Sequence, residues 1–174
     1  MSGADSIVIR PAEPSDVAGI HEMIGELADF EHLRHQFVAT VEDLAAGLFG
    51  ERPPAGALVA EAQDTGQLVG YAIHFTTFST FLGRAGLWLE DLYVRPGWRG
   101  RGAGKRLLLA VAAVARQRGC GRCEWSVLDW NRQAIDFYEA VGAEVLPDWR
   151  FVRVSGDGID RLASGRRRDD GVSP

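Results

Sequence analysis

One short glycine-rich segment limits what this chain can fold into. The residues Arg99-Gly100-Arg101-Gly102-Ala103-Gly104 stand between an apolar run that ends at Val94 and an amphipathic stretch that begins near Lys105. This order predicts a strand, a tight turn and the start of a helix. Glycines let the backbone approach a ligand closely, and a helix N-terminus offers N–H groups to an anion. The segment therefore predicts a site for the phosphates of a cofactor, with an ordinary tight turn as the alternative.

The spacing of these glycines excludes two common phosphate-binding loops. A P-loop requires a glycine five residues before the glycine of its Gly-Lys pair, and a serine or threonine after that pair. Here Arg99 stands at the first position and Arg106 at the second. A dinucleotide fingerprint requires G-x-G-x-x-G, but Lys105 or Leu107 replaces the third glycine in the two possible frames. The pattern that remains is R-x-x-G-x-G.

Composition narrows the class of protein further. A chain of 174 residues is long enough for one domain with its own core. Its net charge of −5 disfavours nucleic acid as a partner and suits a small cationic substrate. The start of the chain resembles no signal peptide, and no apolar run is long enough for a membrane span. We therefore expect a cytoplasmic protein without a membrane partner.

The two cysteines form a single C-x-x-C pair, Cys120 and Cys123. A structural zinc site needs four ligands, and neither a second pair nor a nearby histidine is present in the sequence. We expect reduced thiols in a turn and no bound metal. A thioredoxin-type redox pair is the alternative.

The periodicity of the apolar residues predicts an α/β fold with the order β-α-α-β-β-β-α-β-α-β. Such an order indicates a mixed central sheet with helices on both faces. Ser15 and Asn131 are the expected helix N-caps, and a second helix is expected to start at Thr40. Strands are expected over residues 7–10, 57–62, 68–78, 87–94, 124–128 and 151–154, and the third helix over 103–118. The domain is expected to span residues 1–163, followed by a disordered tail over 164–174.

Four segments together resemble one branch of the GNAT superfamily of acyl-CoA-dependent N-acetyltransferases. They are Glu26-Leu27-Ala28-x-Phe30-Glu31, Leu89-Glu90-Asp91-Leu92-Tyr93-Val94, the glycine-rich loop and residues 130–143. The branch is that of the diamine acetyltransferases, which act on spermidine, spermine or thialysine, and the resemblance covers more than four-fifths of the chain. It implies the GNAT fold, acetyl-CoA as co-substrate, a small cationic amine as acceptor and a homodimer.

The resemblance also implies where acetyl-CoA binds. The loop would bind the pyrophosphate. The backbone of the preceding strand would bond the pantetheine arm where the sheet splays open, with an N–H near Leu92 polarising the thioester carbonyl. The implied cofactor-binding residues are Leu92, Tyr93, Val94, Arg99, Gly100, Arg101, Gly102, Ala103, Gly104, Lys105, Asn131 and Tyr138. For Asn131, a role as helix cap alone is the alternative.

Two residues match catalytic positions of the family. An ammonium group has no lone pair, so the amine must lose its proton before it attacks the thioester. Glu90 is expected to hold the amine and accept that proton through water, whereas Asp91 is expected on the opposite face of the strand. Tyr138 is expected to protonate the leaving thiolate. An ordinary ion pair for Glu90 and a core role for Tyr138 are the alternatives.

A polyamine would be recognised by carboxylates spaced along a groove. The implied substrate-binding residues are Phe30, Glu31, Glu90, Glu124, Trp125, Ser126 and Asp148. The substrate-side segments differ most from the animal enzymes, so two alternatives remain. One is acetylation of another amine, on an aminoglycoside, an amino acid or a protein. The other is an acyl-CoA-binding module without turnover, against which the presence of both Glu90 and Tyr138 argues.

Overall fold

The computed structural model describes residues 6–165, which contain five strands and five α-helices. The strands are β1 Ile7–Pro11, β2 Gly56–Ala62, β3 Leu68–Ser79, β4 Arg84–Val94 and β5 Cys123–Glu124. The helices are α1 Val17–Phe30, α2 Val41–Phe49, α3 Ala103–Gln117, α4 Arg132–Ala140 and α5 Asp157–Ala163. Among these described residues, no helix is both long and apolar enough to cross a membrane.

The strands form one mixed sheet in the order β1-β2-β3-β4-β5. The first three pairings are antiparallel and the last, between β4 and β5, is parallel. Parallel neighbours need a crossover, which α3 provides. The mixed α/β sheet expected from the sequence is therefore confirmed.

Helices cover both faces of the sheet. Tyr71 and Tyr93 pair across β3 and β4 and belong to a buried cluster with Met23 of α1 and Leu48 of α2. Gly70 and Val94, the adjacent pair, point to the other face because side chains alternate along a strand. There Leu107 of α3 lies against Gly70. We call the first the α1 face and the second the α3 face.

The expected helix start at Thr40 and the expected cap at Asn131 are confirmed, and the expected cap at Ser15 is not. The Thr40 hydroxyl accepts a hydrogen bond from the backbone of Asp43, and Asn131 caps α4. Ser15 was expected to cap α1, but it lies in a short 3₁₀ turn, Pro14–Asp16, and the cap position belongs to Asp16. The Asp16 carboxylate is instead bound by Arg10 at 2.6 Å, which lowers the pKa of Asp16 through that hydrogen bond.

The chain divides into two compact units, one up to Ser126 and one from Val127 onward. The first contains the sheet with α1, α2 and α3, and the second contains α4 and α5.

Two expected strands differ from the structure. The strand expected over residues 124–128 covers only Cys123–Glu124, since its pairing with β4 stops there. The strand expected over residues 151–154 is not formed: Phe151, Val152 and Val154 are exposed, and no described strand pairs with them. An apolar run becomes a strand only where a neighbour can satisfy its backbone.

The helix α5 was not expected from the sequence. Its apolar residues at helical spacing are Ile159, Leu162 and the small Ala163, and all three are exposed. Its signals are acidic residues in the first turn and Arg161 in the last. The tail expected over residues 164–174 begins after this helix, and its residues from 166 onward lie outside the described part of the chain.

The close approach of β3, β4 and α3 at Gly70 generates a stability prediction. A Cβ atom at Gly70 would lie 2.7 Å from the carbonyl oxygen of Tyr93 and 3.3 Å from Leu107. We expect Gly70→Ala to lower the free energy of unfolding by about 2 kcal/mol, measured by urea denaturation.

The matched control is Gly47→Ala in α2, where an added Cβ meets no atom within 4 Å. It should raise the free energy of unfolding by roughly 0.5 to 1 kcal/mol, because alanine favours a helix. Equal effects of the two substitutions would contradict the packing described for Gly70.

Candidate active site

An irregularity in β4 places two acidic residues on the same face of the sheet. In the pairing of β3 with β4, Ile73 lies opposite Asp91, and the next residue, His74, lies opposite Leu89. Glu90 is therefore an extra residue in β4, which forms a β-bulge. The expectation that Asp91 points away from Glu90 assumed a regular strand, and the bulge makes it wrong.

Side-chain contacts show which face Glu90 occupies. Its carboxylate accepts a hydrogen bond from the indole of Trp88 at 2.8 Å. The Trp88 ring in turn lies near that of Phe75, which shares the α1 face with Ile73 because they are two residues apart. Asp91 lies opposite Ile73, so both carboxylates belong to the α1 face.

A third carboxylate, that of Glu31, interacts electrostatically with Asp91. Glu31 follows the last residue of α1 and is half-buried, and burial raises its pKa. Burial, together with the negative charges of Glu90 and Glu31, raises the pKa of Asp91 to about 6. We call Glu31, Glu90 and Asp91 the acidic cluster. Such a concentration of negative charge favours a bound cation.

A buried tyrosine lies against the acidic cluster. The hydroxyl of Tyr71 donates a long hydrogen bond, 3.4 Å, to Asp91. Its pKa is raised well above the ordinary value by burial and by the charges of Asp91 and Glu31. Tyr71 therefore stays protonated, and this donor partly offsets the rise in the pKa of Asp91. Tyr71 is not distinguished by any motif in the sequence, and only the pairing of β3 with β4, which brings its hydroxyl to Asp91, reveals this contact.

The glycine-rich loop has the backbone geometry of an anion site. Gly100 and Gly102 adopt positive φ angles of 75° and 82°, and an added Cβ on either would meet no atom within 4 Å. No hydrogen bond to the backbone of residues 6–165 is made by the N–H groups of Gly102, Ala103, Gly104 or Lys105. These donors at the N-terminus of α3 suit a pyrophosphate.

The basic side chains near the loop have different environments. Arg101 lies over the ring of Trp98 at 4.8 Å, and both Arg101 and Lys105 are exposed. Arg106 donates to the carbonyl oxygen of Ile7. The Nε of Arg99 donates to the carbonyl oxygen of Val94 at 2.9 Å.

Beside the loop, β4 extends beyond the end of its neighbour β5. Parallel pairing with β5 is limited to Leu87 with Cys123 and Trp88 with Glu124. Residues 89–94 of β4 pair only with β3 among the described strands. The other edge of this segment therefore carries backbone groups that a ligand can bind. The resemblance implies such an opening, with the arm of the cofactor along Leu92, Tyr93 and Val94.

Three of the expected substrate-binding residues, Glu124, Trp125 and Ser126, lie at the end of β5 or directly after it. Glu124 forms an ion pair with Arg122 at 2.7 Å. Trp125 is half-buried and Ser126 is exposed, and both follow the end of β5. Their contact with a substrate stays a prediction.

In the second unit, Asn131 and Tyr138 belong to the same helix. The side-chain oxygen of Asn131 accepts from the N–H of Ala134 at 3.2 Å, so its capping role is confirmed. Tyr138 is half-buried in α4 and its ring lies 5.3 Å from that of Phe137. Asp148 is exposed in an irregular segment. Cofactor contacts of Asn131 and Tyr138, and a substrate contact of Asp148, stay predictions.

Residues 23–143 match the model of the acetyltransferase (GNAT) family, and this range includes the acidic cluster, the loop and Tyr138.

The chain belongs to the GNAT acetyltransferase family.

Two similar proteins are named as acetyltransferases, in agreement with this family. The chain is 39% identical over 167 residues to a thialysine N-epsilon-acetyltransferase of Sus scrofa, which covers 91% of this chain and 98% of that protein. It is 34% identical over 197 residues to an L-ornithine N5-acetyltransferase of Arabidopsis thaliana, covering 88% of this chain and 86% of the relative. An integron cassette protein from V. cholerae shares the fold, with a TM-score of 0.74 at 24% identity over 91% of this chain and 98% of the other.

GNAT enzymes use acetyl-CoA as co-substrate, and this chain is an N-acetyltransferase that transfers acetyl groups to amines. The loop's free N–H groups and unobstructed glycines fit the pyrophosphate of that co-substrate. Within the described residues, no group of three or more His, Cys, Asp or Glu side chains is arranged to hold a metal ion.

The two cysteines lie at the start of β5 and just before it. Both are half-buried free thiols, and burial raises the pKa of Cys123. A raised pKa disfavours the reactive thiolate.

The surroundings of Asp91 generate a pH-dependent stability prediction. Its folded pKa of about 6 exceeds the ordinary 3.8, so the folded protein binds the proton more tightly than the unfolded chain does. The wild-type protein should lose stability as pH rises from about 4 to about 6. Asp91→Asn lacks this titration, so its free energy of unfolding relative to that of the wild type should be about 3 kcal/mol higher at pH 7 than at pH 3.5.

This difference is measured by urea denaturation of both proteins across that pH range. Asp43→Asn is the opposite control. Hydrogen bonds from Thr40 lower the pKa of Asp43, so its charge stabilises the fold, and this variant should lose stability relative to the wild type as the pH rises. A constant difference between wild type and Asp91→Asn from pH 3.5 to 7 would contradict the proposed surroundings of Asp91.

Proposed function

We propose that this enzyme acetylates a primary amine of a small diamine, polyamine or lysine analogue. The observation that carries the proposal is the acidic cluster, in which the bulge at Glu90 brings two carboxylates to the face where Glu31 lies. A diamine carries two ammonium groups a few ångströms apart. Several carboxylates on one face bind both groups at once, whereas a monoamine would use only part of this charge.

The acidic cluster also has the chemistry to remove a proton from the amine. A carboxyl whose pKa lies near 6 is mostly ionised at neutral pH and still binds a proton more readily than an ordinary aspartate. Glu90, held by the indole of Trp88, is exposed and can contact the ammonium group directly. We infer that Glu90 binds the amine and that the proton leaves through the Glu90–Asp91 pair, directly or through water.

Acetyl-CoA supplies an activated acetyl group as a thioester. The free N–H groups at the start of α3 would bind its pyrophosphate, and the open edge of residues 89–94 would bond its arm. A backbone N–H near Leu92 would stabilise the oxyanion, and Tyr138 would donate its proton to the departing sulfur. We also propose a homodimer, because the family resemblance implies one.

The relatives support a small aliphatic acceptor, since the names of two of them specify thialysine and ornithine. Both compounds carry a terminal amine and a second amine at the α-carbon. A relative of Homo sapiens is named a spermidine/spermine N(1)-acetyltransferase-like protein, at 33% identity over 80% of this chain but only 21% of that protein. This gives less support to a polyamine than to a lysine analogue.

A panel of amines tests the proposal. The protein is incubated with acetyl-CoA and thialysine, lysine, ornithine, 1,4-diaminobutane, spermidine, an aminoglycoside or a peptide, and thiol release is followed. The highest kcat/KM is expected for thialysine or a small diamine. Turnover of the aminoglycoside or peptide alone would overturn the choice of substrate, and acetyl-CoA binding without any turnover would overturn the catalytic proposal.

The role of Glu31 is tested by comparing two acceptors of equal length. Glu31→Gln removes one negative charge from the acidic cluster, so KM should rise roughly tenfold for 1,4-diaminobutane and little for 1-aminobutane. Glu51→Gln, an exposed acidic residue between α2 and β2, is the matched control and should change neither value. An equal rise in KM for both acceptors would show that Glu31 does not bind the second ammonium group.

The role of Tyr138 is tested by removing its hydroxyl. Tyr138→Phe should lower kcat by roughly 10²-fold with acetyl-CoA affinity nearly unchanged, because the phenol acts only on the departing sulfur. Steady-state kinetics and calorimetric binding provide the two readouts. An unchanged kcat would remove Tyr138 from the mechanism.

A further inference from the structure

The Arg99 side chain is bound at the end of α1 rather than left free for an anion. Its guanidinium carbon lies 5.3 Å from the centre of the Phe30 ring and 5.7 Å from that of Tyr93. Its Nε donates to the carbonyl oxygen of Val94. Aromatic faces attract a planar cation, and a guanidinium in contact with two rings has little freedom to move toward another partner.

A second set of contacts joins the same two parts of the molecule. The hydroxyl of Tyr93 donates to Glu26 of α1 at 3.0 Å. Arg95 binds that carboxylate at 2.8 Å, binds Glu22 one turn earlier at 3.1 Å, and donates to the carbonyl oxygen of Leu68. The end of β4 and the first residue of the loop are therefore fixed to the last turns of α1.

The sequence positions of these contacts connect the two halves of the site. Phe30 is the last residue of α1, and the next residue is Glu31 of the acidic cluster. Arg99 is the first residue of the R-x-x-G-x-G pattern, followed directly by Gly100 with its positive φ. The stacked pair Phe30–Arg99 thus joins the backbone of the anion site to the backbone of the amine site.

We propose that Arg99 is a positioning residue that couples the cofactor loop to the amine site through Phe30, and is not a phosphate ligand. The proposal rests on the proposed function, since it assigns the two partners of that reaction to the two ends of the contact. Binding of CoA at the loop holds its backbone in the conformation in which Arg99 contacts Phe30, and Phe30 directly precedes Glu31 in the chain. The affinity for CoA depends in turn on Phe30, a side chain on the amine side of the site.

A double-mutant cycle tests this coupling. The affinity for CoA, without any amine, is measured calorimetrically for the wild type, Arg99→Lys, Phe30→Leu and the double variant. Arg99→Lys keeps the charge but loses the planar group and the Nε donor. Each single variant should bind CoA about fivefold more weakly, and the double variant should be no weaker than about fivefold, since both changes remove one interaction.

Two further variants separate the coupling from general damage to the fold. Phe30→Tyr keeps the aromatic face and should retain the affinity of the wild type. Arg34→Lys changes an arginine that lies 5.4 Å from the Phe37 ring, outside the contacts of the loop, and should leave CoA affinity unchanged. Thermal unfolding of every variant checks that the loss of affinity occurs in folded protein.

Each outcome decides between the alternatives. If Phe30→Leu binds CoA as the wild type does, or if the two losses multiply to about 25-fold, the inference is overturned. If the wild type nevertheless acetylates amines, the proposed function stands although the coupling does not. If the wild type itself binds no CoA, both fail together. Equal losses in the single and double variants, with rescue by Phe30→Tyr, establish the coupling.

Discussion

The extra residue at Glu90 is the constraint on which the rest of the site depends. In a regular strand, Glu90 and Asp91 would point to opposite faces, and one of the two would enter the core beneath α3. The bulge changes the pairing so that Asp91 faces Ile73, while Trp88 and Glu90 remain on the same side of the sheet. One inserted residue thus places two negative charges where α1 ends with Glu31.

In the function that we propose, the same strand serves two ligands of opposite charge. Its middle carries the bulge with the acidic cluster, and its end leads into the loop whose N–H groups suit an anion. Between them, β4 has lost the pairing with β5, which leaves backbone groups for an extended ligand. The distance between amine and phosphate sites is therefore set by about six residues of one rigid strand. A rigid spacing of this kind holds two reactants in a fixed geometry.

Local signals in the sequence predicted much of this arrangement. The turn at the glycine loop, the long strands, the helix start at Thr40 and the cap at Asn131 depend on residues close in sequence, and each is confirmed. The bulge could not be predicted, since Glu90 is neither a glycine nor a turn residue and only pairing with β3 reveals it. Residues 125–128 and 151–154 failed as strands for a related reason, because strand formation requires a partner that the sequence pattern does not identify.

The raised pKa of Asp91 required the structure as well. It depends on burial beside Tyr71 and on the charges of Glu90 and Glu31, and one of these lies far away in the sequence. From the sequence alone, Glu90 was the preferred base and Asp91 the weaker candidate. In the structure both lie on the α1 face and the charge of Glu90 raises the pKa of Asp91, so the proton removal that we propose involves both.

A direct titration of Asp91 tests the central claim, that the bulge gathers three carboxylates into one cation site. The ¹³C chemical shift of its carboxyl carbon is followed by NMR against pH in the wild type and in Glu31→Gln. We expect a midpoint near 6 in the wild type and a lower one in the variant, because one negative charge has been removed. A wild-type midpoint near 3.8, unchanged in Glu31→Gln, would contradict the account.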